Sequence, residues 1–241
     1  MIARDYIVRV DVTLALFWIV SLVGSGIFHE QAHARVALWL GDTTARDQDR
    51  LSWDPRKHLD PWMSFVLPAI LLLLTAGRFA YGGMKPVPIN ALQFRNPALG
   101  MALSAAAGPL SNVLLAVAGF LVLWLFWTFA PSFVYGETQQ AITLNGLFLC
   151  VFTLTNLSLA AFNLLPLPGL DGSRVLYYFL GRDGRAFLDR IEPYALGITM
   201  LVVFSFPAVA RGPIQALFHD LLRALCGDPF YVAFHQRYWD R

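Results

Sequence analysis

The chain has 241 residues, 57% of them hydrophobic and 14% charged, with mean hydropathy +0.55 and a formal net charge of +2. Carried by long apolar runs, that balance is the one expected of an integral membrane protein, and without a basic block it excludes a nucleic-acid-binding domain. Cys150, inside an apolar run, and Cys226, in the C-terminal tail, are too few and too far apart for a disulfide framework or a thiolate zinc site. Both read as packing residues.

In chain order, a first helix is predicted from about Val10 to Leu40, where Gly41 can end it. Arg4 and Arg9 precede its apolar run, and Ala32-His33-Ala34 has the form of a signal-peptide cleavage site. The run from Val12 to Phe28 is too long for a signal core, and three polar residues stand directly before that point, so the segment is read as a retained helix. It carries His29-Glu30-Gln31-Ala32-His33. Histidines at i and i+4 leave one face of a helix and can reach one metal ion, while the glutamate at i+1 stands beside the water such an ion holds. Both histidines are predicted about 10–18 Å from the end of the helix, inside the membrane, where ionisable groups are costly and mark function.

Residues Asp42 to Asp60 mix both charges and are predicted as a solvated loop, with a short strand at Arg50 to Trp53. His58 reads as a residue that caps or braces this loop. Trp62 to Gly77 is apolar but short for a spanning helix, with Pro68 in the middle. Arg78 to Pro97 is too rich in Gly and Pro for a regular helix, and allows a short extended piece. Ala98 to Ala130 is long enough to span, with a kink or a close helix approach expected at Gly108-Pro109. A loop without Lys or Arg (Pro131 to Gln140) leads to a second long apolar run, Ala141 to Leu165.

Pro166, Pro168, Gly169 and Gly172 must unwind the chain after Asn163 at membrane depth, which is tolerated only where backbone is buried in protein or lines a cavity. Ser173 to Leu180 reads as a resumed helical turn or two, followed by a basic loop with Arg182, Arg185 and Arg190. Tyr194 to Ala210 is a plausible last span. Beyond it Ile214, Leu217, Phe218, Leu221, Leu222 and Leu225 are spaced as an amphipathic helix, either interfacial or packed on the bundle. His219 and His235 read as surface residues. The fold class is therefore an all-α integral membrane protein of about four to six transmembrane helices, with a re-entrant or short hydrophobic hairpin and an interfacial C-terminal helix. Residues 1–241 form one membrane-embedded domain, with its core at about 10–180 and the last span and tail at 193–241.

A catalytic zinc site takes three protein ligands plus water. Outside the first helix the best third ligand is Asp171, a carboxylate in the broken segment; the competing reading is an N-cap for the helix that begins near Ser173. His29-Glu30-Gln31-Ala32-His33, the Ala107-Gly108-Pro109-Leu110 segment with Asn112, and Asn163 to Gly172 together resemble, in that order, the site-2 protease family of intramembrane zinc metalloproteases. The likeness runs from Phe28 to about Leu180. His58-Leu59-Asp60-Pro61 and the Lys85 to Pro88 stretch are similar to the compact prokaryotic subgroup without PDZ or CBS domains, while Gln31 and Ala34 depart slightly from the usual pattern. The resemblance implies one zinc ion held by His29, His33 and Asp171, Glu30 as general base, and Asn163 as a contact to the substrate backbone or the developing oxyanion. Asn163 and Asn112 are the substrate-binding candidates, and both, like Asn156, also suit helix-to-helix hydrogen bonds. The implied partners are a transmembrane protein substrate and the lipid bilayer. The rivals are another class of membrane zincin, and an inactive or metal-handling protein that binds a partner helix.

If His33 and Asp171 share a metal, their helices run in the same direction and an odd number of crossings separates them. Trp62 to Tyr81 must then enter and return on one side. With that topology twelve Lys and Arg residues lie on the face of residues 34–97 and 173–192, against six on the face of the termini. The positive-inside rule makes the richer face cytoplasmic, so a multi-pass cell-membrane protein with its site opening toward the cytoplasm is expected. The Lys85 to Asn90 or Arg50 to Trp53 piece is expected to pair with an unwound substrate strand by edge addition.

Overall fold

The structure, a computed structural model, describes residues 12–74, 82–136, 142–205 and 207–238. Its α-helices are α1 (Val12–Trp39), α2 (Thr44–Asp47), α3 (Leu67–Leu74), α4 (Pro97–Phe129), α5 (Pro131–Val134), α6 (Leu144–Asn163), α7 (Asp171–Phe179), α8 (Arg182–Ile191), α9 (Ala195–Ser205) and α10 (Pro207–Tyr238). Among the described residues there is no strand; the one pairing of extended backbone is an isolated bridge between Tyr135 and Ile142. The expected strand at Arg50 to Trp53 is absent, because the carbonyls of Arg50 and Ser52 accept from the Gln31 side chain instead of from a neighbouring strand.

Among the described residues three helices, α1, α4 and α6, are long and apolar enough to cross a membrane, and they pack on one another as the core of the bundle. Lipid is as apolar as leucine, so such helices associate through close packing of small residues and through hydrogen bonds. Both devices are present on one stripe of α1 and one of α4. Ser21, Ser25, His29, His33 and Ala37 recur every fourth residue of α1 and are all buried. Gly100, Ser104, Gly108, Asn112 and Ala116 do the same on α4. Large apolar side chains face outward, Leu16, Ile19 and Val20 on α1 and Leu114 and Leu121 on α4 among them.

Helix starts are set by side-chain caps. Asn96 accepts from the Leu99 amide with Pro97 in the first turn, Thr143 accepts from the Gly146 amide, and Asp60 accepts from the amides of Trp62 and Met63 ahead of a π-helical turn at Pro61–Val66. The first helix ends as predicted at Gly41, whose φ of +109° suits glycine. The chain leaves along Pro61–Leu74 and is back beside its starting level at Gly83, whose N–H donates to Met63 O at 3.1 Å, with Ser64 Oγ donating to Gly83 O. Residues 75–81, the tip of the expected hairpin, lie outside the described residues.

Several expectations are corrected. The 42–60 loop is not wholly solvated: Asp42, Arg50 and His58 are buried. Residues 182–191 are a helix, not a loop, with Leu188 buried on one side and the arginines outside it. Of the two placements expected for the tail, the packing on the bundle is the one described. Phe218, Leu222, Cys226, Phe230 and Phe234 of α10 are buried in one cluster with Phe120 and Leu123 of α4 and Leu147, Cys150 and Leu154 of α6. The tail thus packs on the bundle, at the end opposite the histidines, and α10 folds back on itself at Gly227, where φ is +78°. His219 and His235 are half-buried against Tyr231, not free at the surface. Both cysteines are buried packing residues, as predicted.

Candidate metal centre

The α1 stripe that packs on α4 is also the one that carries His29 and His33, so helix association itself buries both imidazoles, to 8% and 7% exposure. Their protonation is fixed from outside. The Phe152 carbonyl can only accept, so it takes the Asn156 amide N–H at 2.9 Å, which turns Asn156 Oδ1 toward Asn112. Asn112 Nδ2 donates there at 3.0 Å, which turns Asn112 Oδ1 toward His29 Nδ1 at 2.6 Å. His29 therefore carries a proton on Nδ1, which leaves Nε2 as the nitrogen that can bind a metal. His33 reaches the same state more directly, with Nδ1 donating to the Ser104 carbonyl at 2.7 Å while Ser104 Oγ donates back to His33 O. A metal-binding imidazole needs this arrangement of partners.

The third group comes from the break after α6. Leu164 to Leu170 leave the helix and α7 starts at Asp171, in the way that Pro166 and Pro168 require. A side chain at Gly172 would run into the carbonyls of Leu164 and Leu165, so only glycine lets the new helix begin this close to the end of the old one. Asp171 is the first residue of α7, not its cap; Leu170 holds the cap position and no side-chain capping bond is made. The Asp171 carboxylate is instead turned into the bundle. Its Oδ2 lies 3.1 Å from His29 Nε2 and 3.4 Å from His33 Nε2, with the residue 9% exposed.

This donor set suits zinc. The three ligand atoms lie within 4.8 Å of one another, and a tetrahedral site with bonds of about 2.0–2.1 Å has ligand-to-ligand edges of about 3.3–3.4 Å, close to the separations found. Two neutral imidazoles and one carboxylate leave a fourth position open, the pattern of a catalytic site rather than a structural one. Among the described residues no other group of His, Cys, Asp and Glu comes together in this way. Gly108 forms the floor: a Cβ there would lie 2.6 Å from His29 Nε2 and overlap the His33 ring. The close approach expected at Gly108-Pro109 is thus to the imidazoles themselves.

Glu30, the next residue round α1, is half-buried and accepts the Val87 N–H at Oε2, 2.8 Å away. Gln31 is not part of the site; it is buried and ties Arg50 and Ser52 to the helix. His58 braces this loop as read, with Nε2 donating to Ser52 O at 2.6 Å. Asn163 ends α6 half-buried, one amide N–H bonded to Leu159 O at 2.9 Å, and makes no hydrogen bond to the histidines or Asp171. Asn112 departs from the expected substrate contact. It is fully buried, and its amide is taken up by His29, Asn156 and Ser25. Asn156, read from sequence as suited to a helix-to-helix hydrogen bond, makes one with Asn112, whereas nothing in the sequence singles out Ser104 or Val87, which contribute through backbone atoms that carry no residue signature.

The sequence pattern of peptidase family M50 matches residues 130–206, which include the α6 break and Asp171. The chain is 37% identical over 205 residues to "Putative zinc metalloprotease YwhC" of Bacillus subtilis, covering 84% of this chain and 86% of that protein. It is 28% identical over 195 residues to "Putative zinc metalloprotease Rip2" of Mycolicibacterium smegmatis, and 29% over 192 residues to the protein of the same name from Mycobacterium tuberculosis H37Rv. These matches cover 80% of this chain in both cases, and 67% and 66% of the relatives. No solved structure matches the chain. A likeness of this extent to a zinc metalloprotease, on a chain that folds two histidines and an aspartate into one buried donor set, makes it a member of peptidase family M50, the site-2 protease family.

Proposed function

We propose that the protein is a zinc-dependent intramembrane endopeptidase that hydrolyses peptide bonds in or near transmembrane segments of other membrane proteins, with His29, His33 and Asp171 holding the ion and Glu30 as general base. The observation that carries this reading is the convergence of two imidazole Nε2 atoms and one carboxylate oxygen at tetrahedral spacing, inside helices apolar enough to span a membrane. Zinc in that site supplies the Lewis acidity that makes a water nucleophilic at neutral pH. Glu30 takes the proton from the water as its oxygen attacks the peptide carbonyl carbon, and delivers it to the amide nitrogen as the C–N bond breaks. With Oε2 bonded to Val87, Oε1 is the oxygen left for that proton.

A helical substrate must unwind to bring a carbonyl to this site. Both pieces expected to pair with its unwound strand already have hydrogen-bonding groups committed, the Arg50 and Ser52 carbonyls to Gln31 and His58, and the Lys85, Val87 and Asn90 N–H groups to His58, Glu30 and Asp42. Asn163, with one N–H and its carbonyl oxygen uncommitted, is the better candidate for holding the substrate backbone. The return of the chain at Gly83 to Met63 supports a re-entrant hairpin, hence three crossings from α1 to α6 and a site that opens to the cytoplasm.

Stripping zinc with a chelator should abolish cleavage of a reporter transmembrane substrate by the purified protein in detergent, and stoichiometric zinc should restore it; full activity in the stripped protein would refute the assignment. The Asn112 prediction is more graded. Asn112→Ala removes the partner that holds His29 in its tautomer, and should weaken zinc binding about 10–100-fold, read by competition with a chromophoric chelator. Unchanged affinity would mean that Asn112 serves helix packing alone.

A further inference from the structure

Glu30 lies one residue from a metal-binding histidine, yet the bond that orients it comes from a segment 57 residues away. Val87 stands between Pro86 and Pro88, neither of which has an N–H, so on this three-residue stretch its amide is the single donor. Proline on its C-terminal side also confines Val87 to extended backbone. The donor is therefore both unique and conformationally restricted, and it is spent on Glu30 Oε2 at 2.8 Å.

The stretch is itself held at both ends by groups that the chemistry does not use. Lys85 donates its N–H to His58 O at 2.8 Å, and its carbonyl accepts from Arg50 Nη2 at 2.8 Å. At the other end the Asn90 N–H donates to Asp42 Oδ2 at 2.7 Å. Asp42, Arg50 and His58 are all buried, at 1%, 9% and 0% exposure. The Arg50 and Ser52 carbonyls return to α1 through Gln31, the neighbour of Glu30. A loop of mixed charge thus closes a hydrogen-bonded circuit from residue 31 of α1 back to residue 30. Holding polar groups in a buried circuit of this kind fixes a geometry that hydrophobic contacts alone would leave loose.

We infer that residues 85–90 are a positioning strap for the general base: the Val87 N–H sets the direction of the Glu30 carboxylate, and buried Asp42, Arg50 and His58 set the strap. Val87 is a positioning residue, not a catalytic one, and its role rests on the reading of Glu30 as base. A misplacement of about 1 Å in a reacting group can cost about 10²-fold in rate, which sets the size of the effect.

The test compares Val87→Pro, which removes the donor, with Val87→Ala, which keeps it, in the full-length zinc-loaded protein with a reporter transmembrane substrate. Val87→Pro should lower kcat about 10²-fold with KM and zinc content unchanged, while Val87→Ala stays close to wild type. A kcat near that of wild type in Val87→Pro, or loss of zinc together with rate, would overturn the proposal. A spectroscopic arm is independent of folding in that variant and of cleavage: in 15N-valine-labelled protein the Val87 amide proton should be downfield in the wild type and move upfield in Glu30→Ala. No movement would overturn the strap even if the protease reading stands. Absence of cleavage by the zinc-loaded wild type would overturn the protease reading, and the strap's function with it, whatever the amide shows.

Discussion

Glu30→Gln is expected to lose about 10²–10⁴-fold in kcat while keeping its zinc. Glutamine has the size and shape of glutamate and a carbonyl oxygen that can still accept the Val87 N–H, so the bond at 2.8 Å and the course of α1 survive the change. What is lost is the ability to take a proton from water and pass it to the leaving nitrogen. The donor set is untouched, because His29, His33 and Asp171 are oriented by Asn112, Ser104 and one another, and not by Glu30. Kinetics on a reporter substrate, with metal content measured on the same preparation, check both halves. Equal cleavage by the two proteins would remove Glu30 from the mechanism.

Gly108→Ala should be nearly as damaging, by a different route. One added methyl would sit 2.6 Å from His29 Nε2 and 2.4 Å from Cε1 and Nε2 of His33, well within contact distance. Neither imidazole can yield freely, since each is anchored through Nδ1, and α4 cannot move away without opening the Ser104 and Asn112 contacts on either side. The expected outcome is loss of zinc together with activity, in a protein that keeps its helical content because alanine favours helix more than glycine by about 0.8–1.0 kcal/mol. Metal analysis alongside circular dichroism separates this from misfolding. Full zinc occupancy in Gly108→Ala would mean that the helices are not in the close contact described.

Much of the centre was legible in sequence because its geometry is local. The spacing of His29 and His33 fixes their common face through the period of the helix alone, and Asp171 was marked by prolines and glycines that no membrane helix carries without a cost elsewhere. The partners of these groups depend on register between helices. That Asn112 backs His29 follows from which of the small-residue faces of α1 and α4 meet, and the periodic stripes indicate that close faces exist without pairing them. Val87 acts through its backbone, so its identity says nothing. Residues 182–191 looked like a loop because their charges hide a one-sided pattern in which Leu188 is the single buried side chain. The tail presented both of its alternatives equally; its aromatic face found α4 and α6 rather than lipid.

The most direct test of the centre is zinc K-edge X-ray absorption on the loaded wild type, with zinc affinity measured in parallel for Asp171→Ala. The donors placed by the structure predict imidazole nitrogens and oxygens at about 2.0–2.2 Å without sulfur, and a large loss of affinity in Asp171→Ala. A sulfur shell at about 2.3 Å, or an Asp171→Ala protein that binds zinc as tightly as the wild type, would contradict the account.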